Sequence, residues 1–556
     1  MTDVANGFNR FFVNVGPELA SKISETNTSV CEDMGERNPY TIFLGAVTET
    51  DVREIIQNCK NKTSADWMEI DMKTVKIVME EIIKPLTYIC NLSFQTGTFP
   101  DKMKIAKVIP LFKTGNRHHF TNYRPVSLLP QFSKIIEKLF TTKLDIFMEK
   151  HNIYTDNQYG FRSNRSTSHA LLQLMEEITD CFDDKKLAVG VFIDLKKAFD
   201  TIDHNILLTK LERYGIRGVG LDWIRSYLGN RQQFVQIGEH KSELLEITRG
   251  VPQGSVLGPK LFIIYINDIC KVSRALSLIL FADDTNVFCS GESLPQILEL
   301  ITTEMNKFKI WFDKNKLSLN LDKTKFIIFG RKNSEINGNI SIDNKEIKKV
   351  NEIKFLGVIL DHKICWKPHV SYVKNKLAKC CAILSKASHI LNPKSLKMLY
   401  FSLFLPYLIY CVEVWGNIYK STLQSLCTLQ KRAIRIICKV GFREHTNRLF
   451  LKLYTLKFTD LVKFKTAQVM YKVKNKLVAK NINELFQERD EKYNFRGDAV
   501  FRTKTVRTTM KRMTISSSGV KLWNSLQPCL KQSVNINLFK RRYKKLLLDK
   551  YVDEER

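Results

Sequence analysis

Two adjacent carboxylates, Asp283 and Asp284, stand in the middle of the apolar stretch Leu278–Phe288. Apolar runs on both sides of a short polar centre predict a strand, a sharp turn and a second strand, with both acids at the tip. Each carboxylate raises the cost of ionising the other unless a cation lies between them. Asp is common in turns, so an ordinary structural turn is the first explanation. The alternative is half of a divalent metal site, which requires another acid elsewhere in the chain.

Asp194 is the expected second acid. The segment Leu187–Ile193 is apolar throughout and predicts a fully buried strand that ends at Asp194. A helix over Leu195–His204 is expected to follow at once. Site residues concentrate where strands end and loops begin. Since Asp194 and Asp283 are far apart in the sequence, only the tertiary structure can bring them together.

A third segment, Thr248–Pro259, contains three Gly and two Pro. This composition predicts a loop whose backbone approaches another group closely. A helix over Phe262–Ile269 is expected to follow it. Taken alone, the loop has the ordinary explanation of a surface turn.

Together, these segments are consistent with a two-metal site. Two Mg²⁺ ions held by Asp194 and Asp283 can activate a primer 3′-hydroxyl and neutralise the pyrophosphate that leaves a nucleotide. The backbone carbonyl of Ile193 is a further expected ligand. Asp284 is expected to tune the local field more than to bind metal.

The composition points to a polyanionic partner. The 556 residues suggest about three domains. A hydrophobic content of 44% describes an ordinary globular protein, whereas 87 Lys and Arg against 57 Asp and Glu leave a net charge of +30. Nucleic acid is the simplest partner for this charge, and an acidic membrane surface is the competing one.

Membrane and metal-binding signals are weak. The longest apolar region, Met398–Trp415, is interrupted by Ser402, Pro406 and Glu413, which favours a buried helix over a membrane span. Nothing in Met1–Gly16 resembles a signal peptide. The 13 Cys show no paired CxxC spacing, which indicates reduced thiols in the cytosol or nucleus and no zinc knuckle.

The elements around these segments are mostly helical. Glu49–Cys59 and Met72–Leu92 predict helices in a lead-in where no chemistry is expected, and Ile297–Asn315 predicts a helix after the acidic hairpin. The passage Val108–Leu129 is basic and rich in loop signals. From about residue 365 the chain becomes helical and basic.

One helix of this last part, Leu426–Val440, carries a basic stripe opposite an apolar face. A one-sided basic stripe suits a phosphate backbone, and a solvated surface is an equally good explanation when the helix is taken alone. The stripe consists of Lys431, Arg432, Arg435 and Lys439. The basic run Lys540–Lys545 is open to three explanations: a localisation signal, an RNA contact or plain solubility.

Three motifs in order resemble the reverse transcriptase of non-LTR retrotransposons, most closely the jockey-like and related long interspersed elements. They are Phe192–Asp200, Arg249–Ser255 and Phe281–Asp284. Further motifs of the family match in the same order, at Asn122–Leu129, Gln158–Thr167, Leu319–Lys325 and Phe355–Asp361. The resemblance covers residues 94–364 and continues more weakly beyond them.

The resemblance implies an α+β fold of the right-hand polymerase type, with fingers, a palm that carries an antiparallel sheet, and a helical thumb. It implies a helical N-terminal extension at 1–93, a reverse transcriptase domain of fingers and palm at 94–364, and a basic helical thumb and C-terminal region at 365–556.

It also implies site residues. The metal ligands are Asp194 and Asp283, with Asp284 beside them, and Phe199 is the steric gate that excludes a ribose 2′-hydroxyl. The nucleotide pocket and triphosphate site are formed by Gln253, Gly254, Arg124 and Lys134. Lys323 protonates the leaving pyrophosphate, or is simply solvated. Lys431, Arg432, Arg435 and Lys439 follow the template–primer duplex.

The activity implied is RNA-directed DNA polymerisation, dependent on two Mg²⁺ ions or on Mn²⁺, by target-primed reverse transcription. The partners are an RNA template, a DNA primer or target and deoxynucleoside triphosphates, with no membrane, and the sites of action are the cytoplasm and nucleus. Family members usually carry an endonuclease before the polymerase. Only a short lead-in precedes it here, so nicking is expected to be supplied elsewhere. The explanations are a partial element, a truncated gene model or a protein that lost nicking.

Two alternatives remain at this stage. The first is a catalytically inactive RNA-binding remnant of a mobile element, which the charge of +30 and the short lead-in would fit. The second is an RNA-dependent RNA polymerase, which the bulky Phe199 disfavours. The intact acids favour the active polymerase.

Overall fold

The computed structural model describes residues 1–23, 30–330, 338–489 and 500–553. These residues form an α+β arrangement of helices with mixed sheets. The first helices, α1 to α4, span Thr2–Ser21, Glu49–Gln57, Met72–Ile77 and Met79–Thr96. The lead-in is therefore helical as predicted: α2 begins after a Thr48 cap, and the predicted helix Met72–Leu92 is divided between α3 and α4.

The middle of the chain contains all the described strands and six helices. The strands β1 to β6 span Ile105–Phe112, Tyr123–Leu128, Leu187–Ile193, Arg231–Ile237, His240–Lys241 and Leu245–Ile247. The strands β7 to β14 span Ser277–Phe281, Asp284–Gly291, Lys325–Phe329, Ser341–Ile342, Lys345–Glu346, Lys348–Lys349, Glu352–Phe355 and Val358–Asp361. The helices α5 to α10 span Gln131–Lys150, Thr167–Asp183, His204–Tyr214, Val219–Leu228, Gly258–Tyr265 and Leu294–Lys314.

The remainder of the described chain is helical, as the sequence predicts. The helices α11 to α16 span Lys367–Ser388, Pro393–Leu399, Leu405–Ile409, Val412–Trp415, Lys420–Cys438 and Asn447–Lys452. The helices α17 to α22 span Phe458–Lys474, Lys480–Asn483, Thr509–Met513, Val520–Asn524, Pro528–Lys531 and Ile536–Asp553.

Strand β3 is the centre of the main sheet, whose order is β12-β9-β3-β8-β7. It pairs antiparallel with both β8 and β9. Its alternate side chains point to opposite faces, so Ala188 and Phe192 join one apolar core while Val189 and Val191 join another. Burial on both faces explains why the strand reads as an unbroken apolar run and confirms the predicted buried strand.

These two cores extend across the predicted domain boundaries. The first contains α6 and the C-terminal helices, and the second contains α2, α4 and α5 with the opposite face of the sheet. Helices of the lead-in therefore share a core with the sheet. The boundaries at residues 93 and 364 stay predictions, and residues 490–499 and 554–556 of the third region lie outside the described residues.

The passage expected to be loop-rich contains two strands instead. Within Val108–Leu129, β1 and β2 form an antiparallel pair, and β1 also pairs in parallel with β4. This second sheet has the order β2-β1-β4-β5, with β6 on β4. Its strands contain Pro110 and Pro125, which face each other in the pair and weaken the local strand signal.

The helix predicted over Leu195–His204 is wrong. Leu195 instead forms a bridge to Leu319, and the Lys196 amide donates to the Ser318 carbonyl at 2.9 Å. This pairing keeps the backbone extended beyond β3, so only a short 3-10 turn forms before α7 begins after an Asp203 cap. A tertiary contact has overridden the local helical pattern.

The predicted hairpin is confirmed. Phe281 pairs with Asp284, which leaves Ala282 and Asp283 as a two-residue turn between β7 and β8. Asp283 therefore lies in the turn itself, and Asp284 is the first residue of β8.

The apolar region Met398–Trp415 does not form the single buried helix that was predicted. It is divided among α12, a π-helical turn, α13 and α14. Phe401, Tyr407 and Tyr410 are each more than a third exposed. Among the described residues, no helix combines the length and apolar character that crossing a bilayer requires.

Candidate active site

The fold brings the three predicted acids together at one edge of the main sheet. The pairing of Ile193 with Thr285 places Asp194, the next residue, opposite Asp284. Asp283 lies in the adjoining turn. The end of β3 and the β7–β8 hairpin, which lie far apart in the sequence, therefore present their carboxyls to the same space.

The electrostatics of these acids show that they are close. Asp283 and Asp284 keep exposed surface, yet the protein around them raises both pKa values by desolvation. The neighbouring carboxylates raise them further, and the pKa of Asp284 reaches about 6. Burial and mutual repulsion destabilise the ionised carboxylates, so a cation bound between them is favoured.

Asp194 is oriented by Asn320, which the sequence indicated only as part of the family motif Leu319–Lys325. The Asn320 side-chain amide donates to Asp194 Oδ2 at 2.8 Å, and the Asn320 backbone amide donates to the Asp194 carbonyl at 2.8 Å. Lys323 Nζ lies 4.0 Å from the same Oδ2, on a side chain that is 67% exposed. The structure thus places Lys323 at the acids, while its predicted proton transfer stays a prediction.

The turn of the acidic hairpin depends on Gln158. Ala282 has φ +54°, a left-handed conformation that is uncommon for a residue with a Cβ atom. Its amide donates to the buried Gln158 Oε1 at 3.0 Å, and the Gly160 amide donates to the same oxygen at 2.8 Å. A Cβ at Gly160 would lie 2.5 Å from the Ala282 nitrogen, so the close approach requires glycine. Only the match of Gln158–Thr167 to a family motif hinted at this role.

The segment that follows Asp194 is joined to the glycine-rich loop. The Val251 amide donates to the Phe199 carbonyl at 2.9 Å, and the Gln253 side-chain amide donates to Asp200 Oδ1 at 2.7 Å. Gly250 has φ +80°, and a Cβ there would lie 2.8 Å from the Asp200 Cα atom. Phe199 and Gln253, both predicted for the nucleotide pocket, are therefore positioned by one set of hydrogen bonds.

Phe199 also packs on the helix that follows the loop. Its ring is half-buried and stacks on Phe262 of α9 with the ring centres 4.5 Å apart. This contact fixes one face of the ring while leaving part of the side chain accessible. Such a ring can act as a steric gate only if the backbone beneath it is fixed as well.

The glycine-rich loop is attached to β2 on its other side. The Ser127 amide donates to the Gln253 carbonyl at 2.9 Å. Gly254 has φ +144°, and a Cβ there would lie 2.3 Å from the Ser127 carbonyl oxygen. The structure thus explains this glycine by close packing between two backbones.

The end of the loop is held by Glu137 of α5, a residue that the sequence did not single out. The Val256 and Leu257 amides donate to Glu137 Oε2 at 2.7 and 3.1 Å, and the Ser133 hydroxyl donates to Oε1 at 2.8 Å. The side chain is fully buried. A buried carboxylate with three donors is a stable support for the start of α9.

Basic residues face the acids from the second sheet. The positive charges of Arg124 on β2 and Lys113 just after β1 lower the pKa of Asp283 against the effect of burial. Lys197 adds a third positive charge, and its Nζ donates to the Tyr123 carbonyl at 3.4 Å. The structure thus brings Arg124 near the acids, while its predicted triphosphate contact stays a prediction, and it adds Lys113, which follows β1 in a passage that showed no clear strand pattern.

Lys134 has different neighbours. Its Nζ lies 3.5 Å from the Gln131 side-chain oxygen. Burial lowers the pKa of Lys134, and the charges of Glu137 and Asp66 offset only part of this effect. The structure therefore brings Lys134 to the Cys59–Asp66 segment rather than into the group around Asp283. Its predicted triphosphate contact gains no support from this geometry.

The acids fit a hard cation that keeps open coordination positions. In the described parts of the chain, no group of three or more His, Cys, Asp and Glu side chains forms a ready-made metal site. Mg²⁺ commonly uses one or two carboxylates and completes its coordination with waters and substrate phosphates. The all-oxygen pair of Asp194 and Asp283 suits this mode, and the Ile193 carbonyl remains a predicted ligand.

The predicted basic helix is α15. Lys431, Arg432 and Lys439 are exposed, and Lys439 follows directly after the last helical residue. Arg435 is half-buried, with its Nε donating to the Glu444 carbonyl at 2.8 Å. The buried face consists of Leu423, Leu426, Gln430, Ala433, Ile434 and Ile437.

Comparison with known proteins agrees with this geometry. Residues 113–360 match the family described as reverse transcriptase (RNA-dependent DNA polymerase). The chain is 28% identical over 424 residues to the RNA-directed DNA polymerase from mobile element jockey of Drosophila melanogaster, an alignment that covers 74% of this chain and 46% of that protein. It is 29% identical over 435 residues to a probable RNA-directed DNA polymerase from transposon BS of the same species, covering 73% and 46%.

A third relative, the probable RNA-directed DNA polymerase from transposon X-element of Drosophila melanogaster, is 27% identical over 452 residues. That alignment covers 79% of this chain and 49% of the relative. The chain thus spans about half the length of the curated relatives it matches. Residues 113–360 are thus similar to reverse transcriptase domains, and the chain is similar to RNA-directed DNA polymerases of mobile elements such as jockey.

Proposed function

We propose that this chain, which carries a reverse transcriptase domain, is an RNA-directed DNA polymerase of a non-LTR retrotransposon that extends a DNA 3′ end on an RNA template. The observation that carries the proposal is the meeting of Asp194 with the Asp283–Asp284 turn at one sheet edge, faced by Arg124 and Lys113. Carboxylates opposite cations are what nucleotidyl transfer needs for metal and triphosphate binding.

In this proposal Asp194 and Asp283 hold two Mg²⁺ ions, or Mn²⁺, while Asp284 adjusts the field. When bound, the metal ions would promote deprotonation of the primer 3′-hydroxyl and stabilise the charge on the leaving pyrophosphate. Asn320 holds Asp194 in place, and Gln158 holds the turn that carries Asp283. Fixed geometry of this kind is how positioning contributes to phosphoryl transfer.

The nucleotide is bound between the two sheets. Arg124 and Lys113 neutralise its triphosphate, and Lys323 donates a proton to pyrophosphate. Phe199 excludes the ribose 2′-hydroxyl, on a backbone that the loop of Gln253 and Gly254 supports. The product is therefore DNA.

The remaining assignments follow the same proposal. The main sheet is the palm, the second sheet belongs to the fingers, and the helices after β14 form the thumb and C-terminal region. The exposed cations of α15 track the template–primer duplex. The reaction is target-primed reverse transcription on chromosomal DNA, so the protein would act in the nucleus after synthesis in the cytoplasm.

Primer extension on an RNA template with Mg²⁺ tests the proposal. Asp194→Asn and Asp283→Asn should each lower nucleotide incorporation by about a thousandfold or more, because a metal ion supplies several kcal/mol of transition-state stabilisation. Asp322→Asn is the matched control, since this exposed acid pairs with Lys345 at 2.8 Å on the surface. Full activity in either catalytic variant, or RNA binding by the wild type without any incorporation, would contradict the proposal.

A further inference from the structure

Helix α1 lies outside the matched reverse transcriptase region, yet it packs on the elements that form the nucleotide site. Its apolar side chains Phe8 and Phe12 form a small cluster with Val108 of β1 and Val235 of β4, apart from the two large cores. Phe8 also contacts the Tyr123 ring, with the ring centres 4.9 Å apart. The helix is therefore an integral layer on the second sheet.

A buried polar contact fixes the position of α1 along this sheet. Asn9 is fully buried, and its side-chain amide donates to the Glu243 carbonyl at 2.8 Å. The Gln233 side-chain amide donates back to Asn9 Oδ1 at 3.0 Å. A buried amide satisfied on both atoms has one favourable position, so the helix cannot slide along β4 without breaking these bonds.

The second half of α1 contacts the backbone at Asp200, the residue after Phe199, which is the proposed steric gate. A Cβ at Gly16 would lie 2.2 Å from the Asp200 carbonyl oxygen and 3.6 Å from the Arg249 Cβ. Further along, the Ser318 hydroxyl lies 3.4 Å from the Leu19 carbonyl and donates to it. The helix therefore touches both sequence segments that flank the acids, at Asp200 and at Ser318.

α1 also contacts the cations around the acids. The Phe11 ring lies 5.8 Å from Lys197 Nζ, which is within the range of a cation–π interaction. The same Nζ donates to the Tyr123 carbonyl. Lys197 is thus held between α1 and β2, next to the Phe199 segment.

We infer that α1 is a positioning element of the nucleotide site, and that Gly16 sets the place of the Phe199–Asp200 backbone and so the selection of deoxyribonucleotides. Gly16 and Gly250 both approach the Asp200 backbone so closely that a Cβ at either glycine would collide with it. Because Phe199 is the preceding residue of the same backbone, a displacement of Asp200 also moves Phe199. The inference rests on the proposed polymerase function.

Gly16→Ala tests this inference against a matched control on the same helix. The added methyl group must displace the Asp200 carbonyl, whereas Gly7→Ala places its methyl 2.9 Å from the tip of the Phe120 side chain, away from Asp200. The ratio of kcat/KM for a deoxynucleotide over the matching ribonucleotide should fall about tenfold or more in Gly16→Ala, as a displacement of about 1 Å at a reacting site can cost a hundredfold. It should stay near the wild-type value in Gly7→Ala.

Three further measurements separate positioning from loss of fold. The Gly16→Ala protein should stay folded but melt at a somewhat lower temperature, because displacing the Asp200 carbonyl costs packing energy. Its RNA–DNA duplex affinity should remain near wild type, while the KM for the deoxynucleotide rises more than kcat falls. Phe11→Leu introduces no clash and should lower the ratio of kcat/KM for deoxynucleotide over ribonucleotide by a smaller factor. This variant tests the inference if Gly16→Ala does not fold. Phe199→Val provides the reference for an opened gate.

The outcomes distinguish the inference from the function it rests on. A wild-type protein that extends primers, together with unchanged discrimination in both Gly16→Ala and Phe11→Leu, would overturn the inference and leave the proposed function intact. A wild-type protein that incorporates no nucleotide under any metal condition would overturn both.

Discussion

The acidic hairpin and helix α15 both carry charge for the same proposed reaction, but they hold it in opposite ways. At the hairpin, Asp194 is bound by Asn320, and the Ala282 turn is bound by a buried Gln158 oxygen. On α15, Lys431 and Arg432 are exposed on flexible stems. The first region fixes single atoms, and the second supplies charge without fixing its position.

The difference follows from what each region has to do. Metal-assisted transfer requires reacting atoms to be held within a few tenths of an ångström, so its supports are directional hydrogen bonds in a desolvated place. A phosphate backbone offers repeated negative charges, so long cationic side chains can follow it without fixed partners. Substitutions in the hairpin should therefore act singly and strongly, and those on α15 should act additively and weakly.

Gln158→Leu is the strongest test of this contrast outside the acids themselves. The change leaves the Ala282 and Gly160 amides without their acceptor in a buried place, and an unsatisfied buried group costs about 1–3 kcal/mol. If the turn relaxes to recover that energy, kcat for primer extension should fall about tenfold to a hundredfold. Duplex affinity, measured by fluorescence anisotropy, should stay unchanged.

Two variants control this prediction. Gln232→Leu makes the same change at an exposed position on β4 and should have little effect. Ala282→Gly in the Gln158→Leu background should restore part of kcat, because glycine adopts φ +54° without strain. Wild-type kcat in Gln158→Leu would show that the hairpin holds its shape without this support.

The elements that sequence reasoning found are those whose pattern is local. Strand β3, the β7–β8 hairpin and helix α10 each carry a run or a period that burial imposes directly. The group of Asp194, Asp283 and Asp284 was found because acids at strand ends and turns are visible in the sequence. The family motifs then indicated that the three belong together.

The supports of the site could not be found in this way. Asn320, Gln158 and Glu137 act through hydrogen bonds to backbone groups of distant segments, and no local spacing marks such a contact. The same holds for the segment after Asp194, where pairing with Ser318 replaced the expected helix. No signal in the sequence marked Gly16, because its need for a missing Cβ arises only from Asp200.

On α15, we expect a graded response. Lys431→Ala alone should weaken duplex binding only slightly at physiological salt, and the triple change of Lys431, Arg432 and Lys439 to Ala should weaken it several times more. The slope of log affinity against log salt should fall by roughly 0.9 for each phosphate that the protein no longer neutralises, or by about 0.7 for single strands. The kcat value at saturating duplex should stay near wild type.

Lys84→Ala, an exposed lysine of α4, is the control for a simple loss of charge. It should leave the salt slope unchanged. A large loss of kcat in the triple α15 variant would contradict the contrast, because it would mean that this helix fixes atoms rather than supplies charge.

The smallest expected effect concerns Asp200, where the fixed geometry of the site has a cost in stability. Burial raises the pKa of Asp200 to about 6, although the Gln253 hydrogen bond and Lys197 lower it in part. The pKa of an Asp in the unfolded chain is about 3.9, so the folded state binds the proton more tightly. The contribution of Asp200 to stability is therefore greatest below about pH 4 and is lost as the pH rises through about 6.

Asp200→Asn keeps an acceptor for the Gln253 amide and removes the charge. It should melt at a higher temperature than the wild type at pH 7.5, and the difference should shrink as the pH is lowered to 5. Asp322→Asn should not gain stability at neutral pH, because its ion pair with Lys345 lowers the pKa of that exposed acid. If the melting difference between Asp200→Asn and the wild type does not change with pH, burial does not destabilise the ionised form of Asp200. The hairpin region and α15 would then not differ in the energetic cost of their charges.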